Sequence, residues 1–288
     1  MVREVCLTAI LAACTLGAPA IGAITVERGD GEPLEKGDAT VELDPISGRW
    51  TVTLTSLYAP AGETIYTVRG NGGEIIDDVF IDVPCWQGPG GECVVAGSPV
   101  FVNILSDPPL GIQTIHNVEQ RGDAELYISN VQAEQDIGAV RGHVITNVQA
   151  GRDVLGPVIG TIESDIFGVH FVEAQRDILG DVLAENGRIG RVVAYRQIGR
   201  PERPVAIRAK HHINGIVAAT PECEFEGMQN GCGAIYAHID TNVNGGAGHI
   251  KQMIAATFHG TLSAERFQPN TSQINVRLVF TEAFQGEI

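Results

Sequence analysis

Two adjacent carboxylates, Asp77 and Asp78 in "EIIDDVFIDV", are the first residues whose type suggests catalysis. A carboxyl pair can cleave a glycosidic bond, one group protonating the leaving oxygen while the other activates water. In a stretch with strand character, neighbouring side chains point to opposite faces. A solvated edge is therefore expected here rather than a dyad. A second acidic pair, Asp153 and Asp177, occupies equivalent places in two similar stretches, each directly after an arginine, Arg152 and Arg176. Stacked in a fold, these residues would form a carboxylate cluster beside guanidinium groups, or a surface ladder of turn residues with alternating charge; the ladder is the expectation. Histidines recur as His211–His212, His238, His249 and His259. Their spacing imposes no metal site, and they read as partly buried turn residues.

Other chemistry is thinly represented. "GGAGHI" (245–250) begins like a calcium-binding repeat, but Ile250 stands where an aspartate must coordinate the ion. "ERGDGE" (27–32) lacks the ligand spacing of an EF-hand. "GNGG" near Gly70 fails the spacing of a dinucleotide loop, and no serine or cysteine sits in a nucleophile elbow. The sequence thus implies no catalytic residues, no cofactor and no metal site; calcium is compatible with the charge but supported by no motif. Beyond the N-terminal segment 1–23, four cysteines fall into two close pairs, Cys85 with Cys93 and Cys223 with Cys232. The gaps are wider than usual zinc-ligand spacings. In an oxidising compartment each pair is expected to close a short loop by a disulfide.

The first residues, "MVREVCLTAILAACTLGAPAIGA" (1–23), have the layout of a secretory signal. Arg3 is followed by an apolar run, then by small residues where cleavage would follow Ala20 or Ala23. "LAAC" also resembles a lipoprotein box, with Cys14 as the acylated residue. No later stretch is long and apolar enough for a spanning helix. The chain of 288 residues carries a net charge of −16, and removing Arg3 and Glu4 with the signal leaves that unchanged. Such a field disfavours nucleic acid and anionic membranes, which require clustered lysine and arginine. Export, to the exterior or the cell surface, is the expected localisation.

The elements that would position any site show themselves in a repeat. "VQAGRDVLGPVI" (148–159) returns as "VEAQRDILGDVL" (172–183), identical at seven of twelve positions. A shortened copy, "VQAEQDIGAV" from Val131, drops one residue. Reduced to apolar, any, Gly, any, apolar, the unit recurs around Gly156, Gly180, Gly215, Gly260 and Gly286, at intervals of 24, 35, 45 and 26. Leucine-rich repeats would need a leucine ladder, and helical repeats an i, i+3, i+4 stripe. Instead, short runs rich in Val and Ile alternate, and 35 glycines interrupt helix formation. The expected fold is all-β: a parallel β-solenoid with coils of about 24 residues, in which inward residues stack on their equivalents and glycine occupies corners. The two long intervals read as insertions, one containing "GRPERP" (199–204) and the other the Cys223–Cys232 loop with "NVNGGAG" (242–248), or, for the interval of 45, as two coils of normal size.

Residues 24–125 lack that interval. "ATVELDPISGRWTVTLTSL" alternates about Asp44–Gly48 and predicts a hairpin. The organisation expected is a signal at 1–23, a β-rich cap or small sandwich at 24–125, and solenoid repeats at 126–288. Residues 126–288 resemble the right-handed parallel β-helix proteins of the pectin-lyase-like class, particularly secreted bacterial ones. That resemblance implies a fold far more than an activity. Galacturonan hydrolases of that class share "NTD", "DD", "GHG" and "RIK" in order; here "DD" precedes the repeats, His143 and His249 follow a glycine without completing "GHG", and the other two are missing. The lyases need acidic calcium ligands with an arginine base. The function expected is a secreted, non-catalytic structural, adhesive or glycan-binding protein, with an extracellular glycan or surface component as partner. The competing class is a polysaccharide-degrading lyase or hydrolase. A groove lined by Asp, Arg and His would favour the enzyme, and a face of Asn, Thr and Gln the scaffold or adhesin.

Overall fold

The computed structural model describes residues 24–29, 39–55, 64–82, 86–87, 93–94, 100–108, 110–121, 126–161, 167–220, 233–241 and 248–264. Among them every regular element is a strand. The first sheet runs, in spatial order, β1 (Thr25–Arg28), β4 (Thr64–Gly70), β8 (Val100–Ser106), β10 (Leu126–Ala133), β12 (Val144–Ala150), β15 (Phe167–Ala174), β18 (Arg188–Ala194), β21 (Ile213–Ala218) and β23 (Met253–Ile254). The second holds β2 (Ala39–Leu43), β3 (Trp50–Thr55), β5 (Glu74–Asp82), β9 (Ile112–Arg121) and β11 (Asp136–Gly142). It then divides at a bend. One arm is β13 (Asp153–Val154), β16 (Asp177–Ile178) and β19 (Gln197–Ile198); the other is β14 (Val158–Gly160), β17 (Val182–Ala184) and β20 (Val205–Ala209). The arms rejoin on β22 (Ala234–Asp240), which pairs with β24 (Thr257–Ser263). A small third sheet pairs β6 (Trp86–Gln87) with β7 (Cys93–Val94).

Among the described strands of the two long sheets, only β1–β4 and β2–β3 are antiparallel. All other neighbours are parallel, and from β4 onward the chain alternates between the sheets. Parallel pairing puts each inward residue beside its equivalent one rung away, which explains the Val/Ile bias. One apolar column crosses the first sheet through Val68, Ile104, Val131, Val148, Val172, Val192, Ile216 and Met253. Another crosses the second through Ile76, Ile115, Ile137, Val154, Ile178, Ile198, Ile235 and Phe258. Both belong to one continuous core, and each such side chain contributes on the order of 1.5–3 kcal/mol by burial. Val154 and Ile178 are register partners, both fully buried, while Leu155 faces outward.

The interval of 24 is real but not uniform. Val131, Val148, Val172, Val192, Ile216 and Met253 follow one another at intervals of 17, 24, 20, 24 and 37. The residue missing from the shortened copy is lost at the bend: Ile137 pairs with Val154, but Val140 pairs with Val158. The glycine series needs correction. Gly156 and Gly180 stack at the bend of the second sheet, whereas Gly215 lies opposite Arg191 in the first and Gly260 opposite Ala237 in β24. The intervals of 35 and 45 therefore compare positions from different columns. "GRPERP" does lengthen the bend between β19 and β20, turning through mutual backbone bonds of Arg200 and Arg203. Gly180 is needed for closeness rather than for positive φ: a Cβ there would stand 1.8 Å from the Gly156 carbonyl oxygen.

The expected hairpin is β2–β3, closed by the Gly48 N–H on the Asp44 carbonyl at 2.8 Å with Gly48 at φ 68°. The Ser47 hydroxyl and Ile46 N–H bond the Asp44 carboxylate and hold its pKa below the ordinary value. Strand β3 then runs parallel to β5, and the β8–β10 and β9–β11 pairs join residues before 125 to those after 126 within the same two sheets. No helix among the described residues is long and apolar enough to cross a membrane.

Candidate binding groove on the first sheet

The outward faces of the parallel strands bring like residues into line, so the outer chemistry of the first sheet is also columnar. Asn103, Asn130 and Asn147 form one column: Asn130 Nδ2 donates to Asn103 Oδ1 at 2.7 Å, and Asn147 Nδ2 to Asn130 Oδ1 at 3.1 Å. Two residues along, Gln132, Gln149 and Glu173 form another. Gln132 Nε2 donates to Gln149 Oε1 at 3.1 Å, and Gln149 Nε2 to Glu173 Oε2 at 3.2 Å. The Tyr195 hydroxyl donates to Glu173 Oε1 at 2.8 Å, and that bond, aided by burial, raises the phenol pKa above its usual value. Aromatic rings share the face: Phe101 stacks on Tyr127 with centroids 5.0 Å apart.

Between this column and the strand ends runs an open groove of about 290 Å³, lined chiefly by Ser106, Gln132, Glu134, Gln149, Glu173 and Gln175. Ser106 Oγ donates to Glu134 Oε1 and accepts the Ile112 N–H, both at 2.8 Å. Its hydroxyl is thus engaged twice, and among the described residues no histidine lines the groove to activate it. The lining offers fixed amides and carboxylate acceptors, with no Lys or Arg among the described residues. Such a surface has the donors and acceptors to hydrogen-bond a hydroxyl-rich ligand, and its two carboxylates, Glu134 and Glu173, are engaged by Ser106 and by Gln149 and Tyr195.

The acidic residues singled out in the sequence do not line this groove. Asp153 and Asp177 do stack in register, but not as a surface ladder. Asp153, Asp177 and Asp136 are buried at 3, 0 and 6 % exposure. Each is covered by an arginine reaching back from the next rung: Arg152 Nε to Asp136 at 2.7 Å, Arg176 Nε to Asp153 at 2.9 Å and Arg196 Nε to Asp177 at 2.7 Å. In each pair Nη2 bonds the second carboxylate oxygen, making the contact bidentate. The Asp136 and Asp177 bonds raise the pKa of Arg152 and Arg196. The aspartates turn inward because the guanidinium supplies the partner a buried carboxylate requires. Asp136 and Arg196 escaped the sequence reading, although "AEQDIG" and "AYRQIG" are aligned copies of "AGRDVLG" and carry half of the pair each.

Asp77 and Asp78 also depart from expectation. A register shift between β3 and β5 leaves both between the inward Ile76 and Val79, so neither faces the core. Strand β5 is internal, flanked by β3 and β9, so this is no sheet edge. Asp77 Oδ1 accepts from Arg49 Nη1 at 3.0 Å and lies 2.7 Å from His116 Nδ1; Asp78 accepts from Asn117 at 3.0 Å. Among the histidines, His212 stacks on His249, His259 stacks on Tyr236, and His238 bonds Thr261. Among the described residues no three His, Cys, Asp or Glu side chains gather as metal ligands. Ile250 is buried and bridges Ile213. Cys85, Cys223, Cys232, the Cys93 side chain, Cys14 and the signal-like segment lie outside the described residues. Comparison with family models, curated proteins and solved structures found no match for the chain.

Proposed function

We propose that the chain is a secreted β-solenoid that binds an extracellular glycan along the outer face of its first sheet without cleaving it. The solenoid reading is supported by the alternation of the chain between two parallel sheets and by the unbroken apolar columns. Export rests on the layout of residues 1–23. The observation that carries the binding role is the column Gln132–Gln149–Glu173–Tyr195 beside the groove. Its rungs repeat at about 4.8 Å, close to the advance of one sugar unit along an extended glycan. A chain lying across the strands would meet an amide, carboxylate or hydroxyl at each step. The Asp–Arg array is spent on internal pairing and does not line the groove, although Arg152 and Arg176 directly follow the lining residues Gly151 and Gln175.

A glycan array probed with the mature protein, with and without calcium, tests this reading. Expected is binding to neutral oligosaccharides, insensitive to calcium, weakened by Gln149→Ala and accompanied by no shortening of the bound chain. Release of shorter or unsaturated sugars would establish the hydrolase or lyase instead.

A further inference from the structure

We propose that His212 and His249 form an acid-released latch holding β23 against β21. His212 immediately precedes β21 and His249 lies just before β23. Their rings stack with centroids 4.9 Å apart and planes 9° from parallel. The backbone N–H of His249 donates to His212 Nδ1 at 3.2 Å. Nδ1 is therefore an unprotonated acceptor, and the neutral ring carries its proton on Nε2. The same stretch is tied by the Ile213 N–H on the His249 carbonyl at 2.9 Å and the Lys251 N–H on the Ile213 carbonyl at 3.0 Å.

Protonating His212 places a hydrogen on Nδ1, where the His249 N–H now points, so the imidazolium and this closed geometry exclude one another. Electrostatics act in the same direction. His249 from the segment before β23, Arg188 from β18, Lys251 and His211 each disfavour a charge on His212. Burial, then these charges, lowers the His212 pKa below its usual value. The closed rung thus binds fewer protons than an opened one, and its stability falls as pH drops through the ordinary histidine range. The opening constant rises by up to about tenfold per pH unit for this one group. The effect is local, because the apolar columns N-terminal to β21 contain no titrating group. Opening frees backbone groups along β21 for another strand, a regulation of the C-terminal edge that does not depend on the glycan reading.

Hydrogen exchange by mass spectrometry on the full chain at about pH 7.5 and about pH 5, corrected for intrinsic exchange rates, tests the latch. Expected is a roughly tenfold or greater loss of protection in peptides covering 248–256 at the lower pH, with 144–150 unchanged. His212→Asn, whose amide oxygen can accept the His249 N–H but cannot charge, should abolish the response. Unchanged protection of the unmodified chain, or an equal loss in His212→Asn, would overturn the proposal. Should that variant not fold, an NMR titration of the unmodified protein decides. His212 must titrate below the ordinary histidine value and the His249 amide must shift with it; an ordinary titration with a static His249 amide would refute the latch.

Discussion

Consider removing either half of the central Arg–Asp pair. The Asp153 side chain is 4 % exposed and that of Arg176 is 44 % exposed. Asp153 accepts Arg176 Nε at 2.9 Å, a second guanidinium bond, and the Asp177 backbone N–H at 3.0 Å. In Asp153→Asn the amide oxygen still accepts the Asp177 N–H, and Arg176 swings its exposed head into water. What is lost is one bidentate charge-assisted contact, already discounted by solvent, about 1–2 kcal/mol. In Arg176→Met the carboxylate stays buried with only the Asp177 N–H and the distant Arg152, whose Nε is 3.9 Å away. Stranding a buried charge costs about 3–5 kcal/mol. The asymmetry follows from exposure: the arginine can be rehydrated where it stands, and the aspartate cannot. Urea denaturation followed by circular dichroism should show Arg176→Met losing at least about 1 kcal/mol more than Asp153→Asn, with m unchanged. The double variant should recover part of the loss, since an asparagine tolerates burial without a cation. If Arg176→Met proves equal to or milder than Asp153→Asn, the carboxylates are not the buried members of these pairs and the reasoning fails.

Gly180→Ala should lower the melting temperature far more than Gly48→Ala. A Cβ on residue 180 would meet the Gly156 carbonyl oxygen at 1.8 Å. Gly48 has open space around it and suffers only its φ of 68°, a cost of about 1 kcal/mol. Tyr195 should ionise above the ordinary phenol range, because its proton is held by Glu173 and the phenolate would face that carboxylate. Absorbance titration should lose a phase above the ordinary phenol range in Tyr195→Phe. Mass spectrometry of unreduced peptides should join Cys85 to Cys93 and Cys223 to Cys232; four free thiols would remove the export compartment from the account.

The core was legible because parallel pairing stacks like on like. Val154 over Ile178 follows from aligning two twelve-residue stretches, and the residue missing from the Val131 copy locates the bend. The hairpin at Asp44–Gly48 was legible from its turn residues. The glycine intervals misled because "apolar-x-Gly-x-apolar" arises both inside a strand, as at Gly215, and at the bend, as at Gly180, and spacing alone does not separate the sheets. Burial of Asp153 was illegible for a similar reason. The arginine that covers it is not its neighbour Arg152 in sequence but Arg176, one rung later. The groove was hidden because Gln132, Gln149, Glu173 and Tyr195 have ordinary identities, and only the register brings them into one chain of hydrogen bonds.

The central functional claim is that the outer face of the first sheet holds the ligand. Its most direct test is an NMR titration of the mature protein with a neutral oligosaccharide taken from the array. The side-chain amide signals of Gln132, Gln149 and Gln175 are expected to shift together and saturably, while those of Asn117 and Gln113 on the second sheet stay still. Shifts confined to the second sheet, or none at saturating sugar, would contradict it.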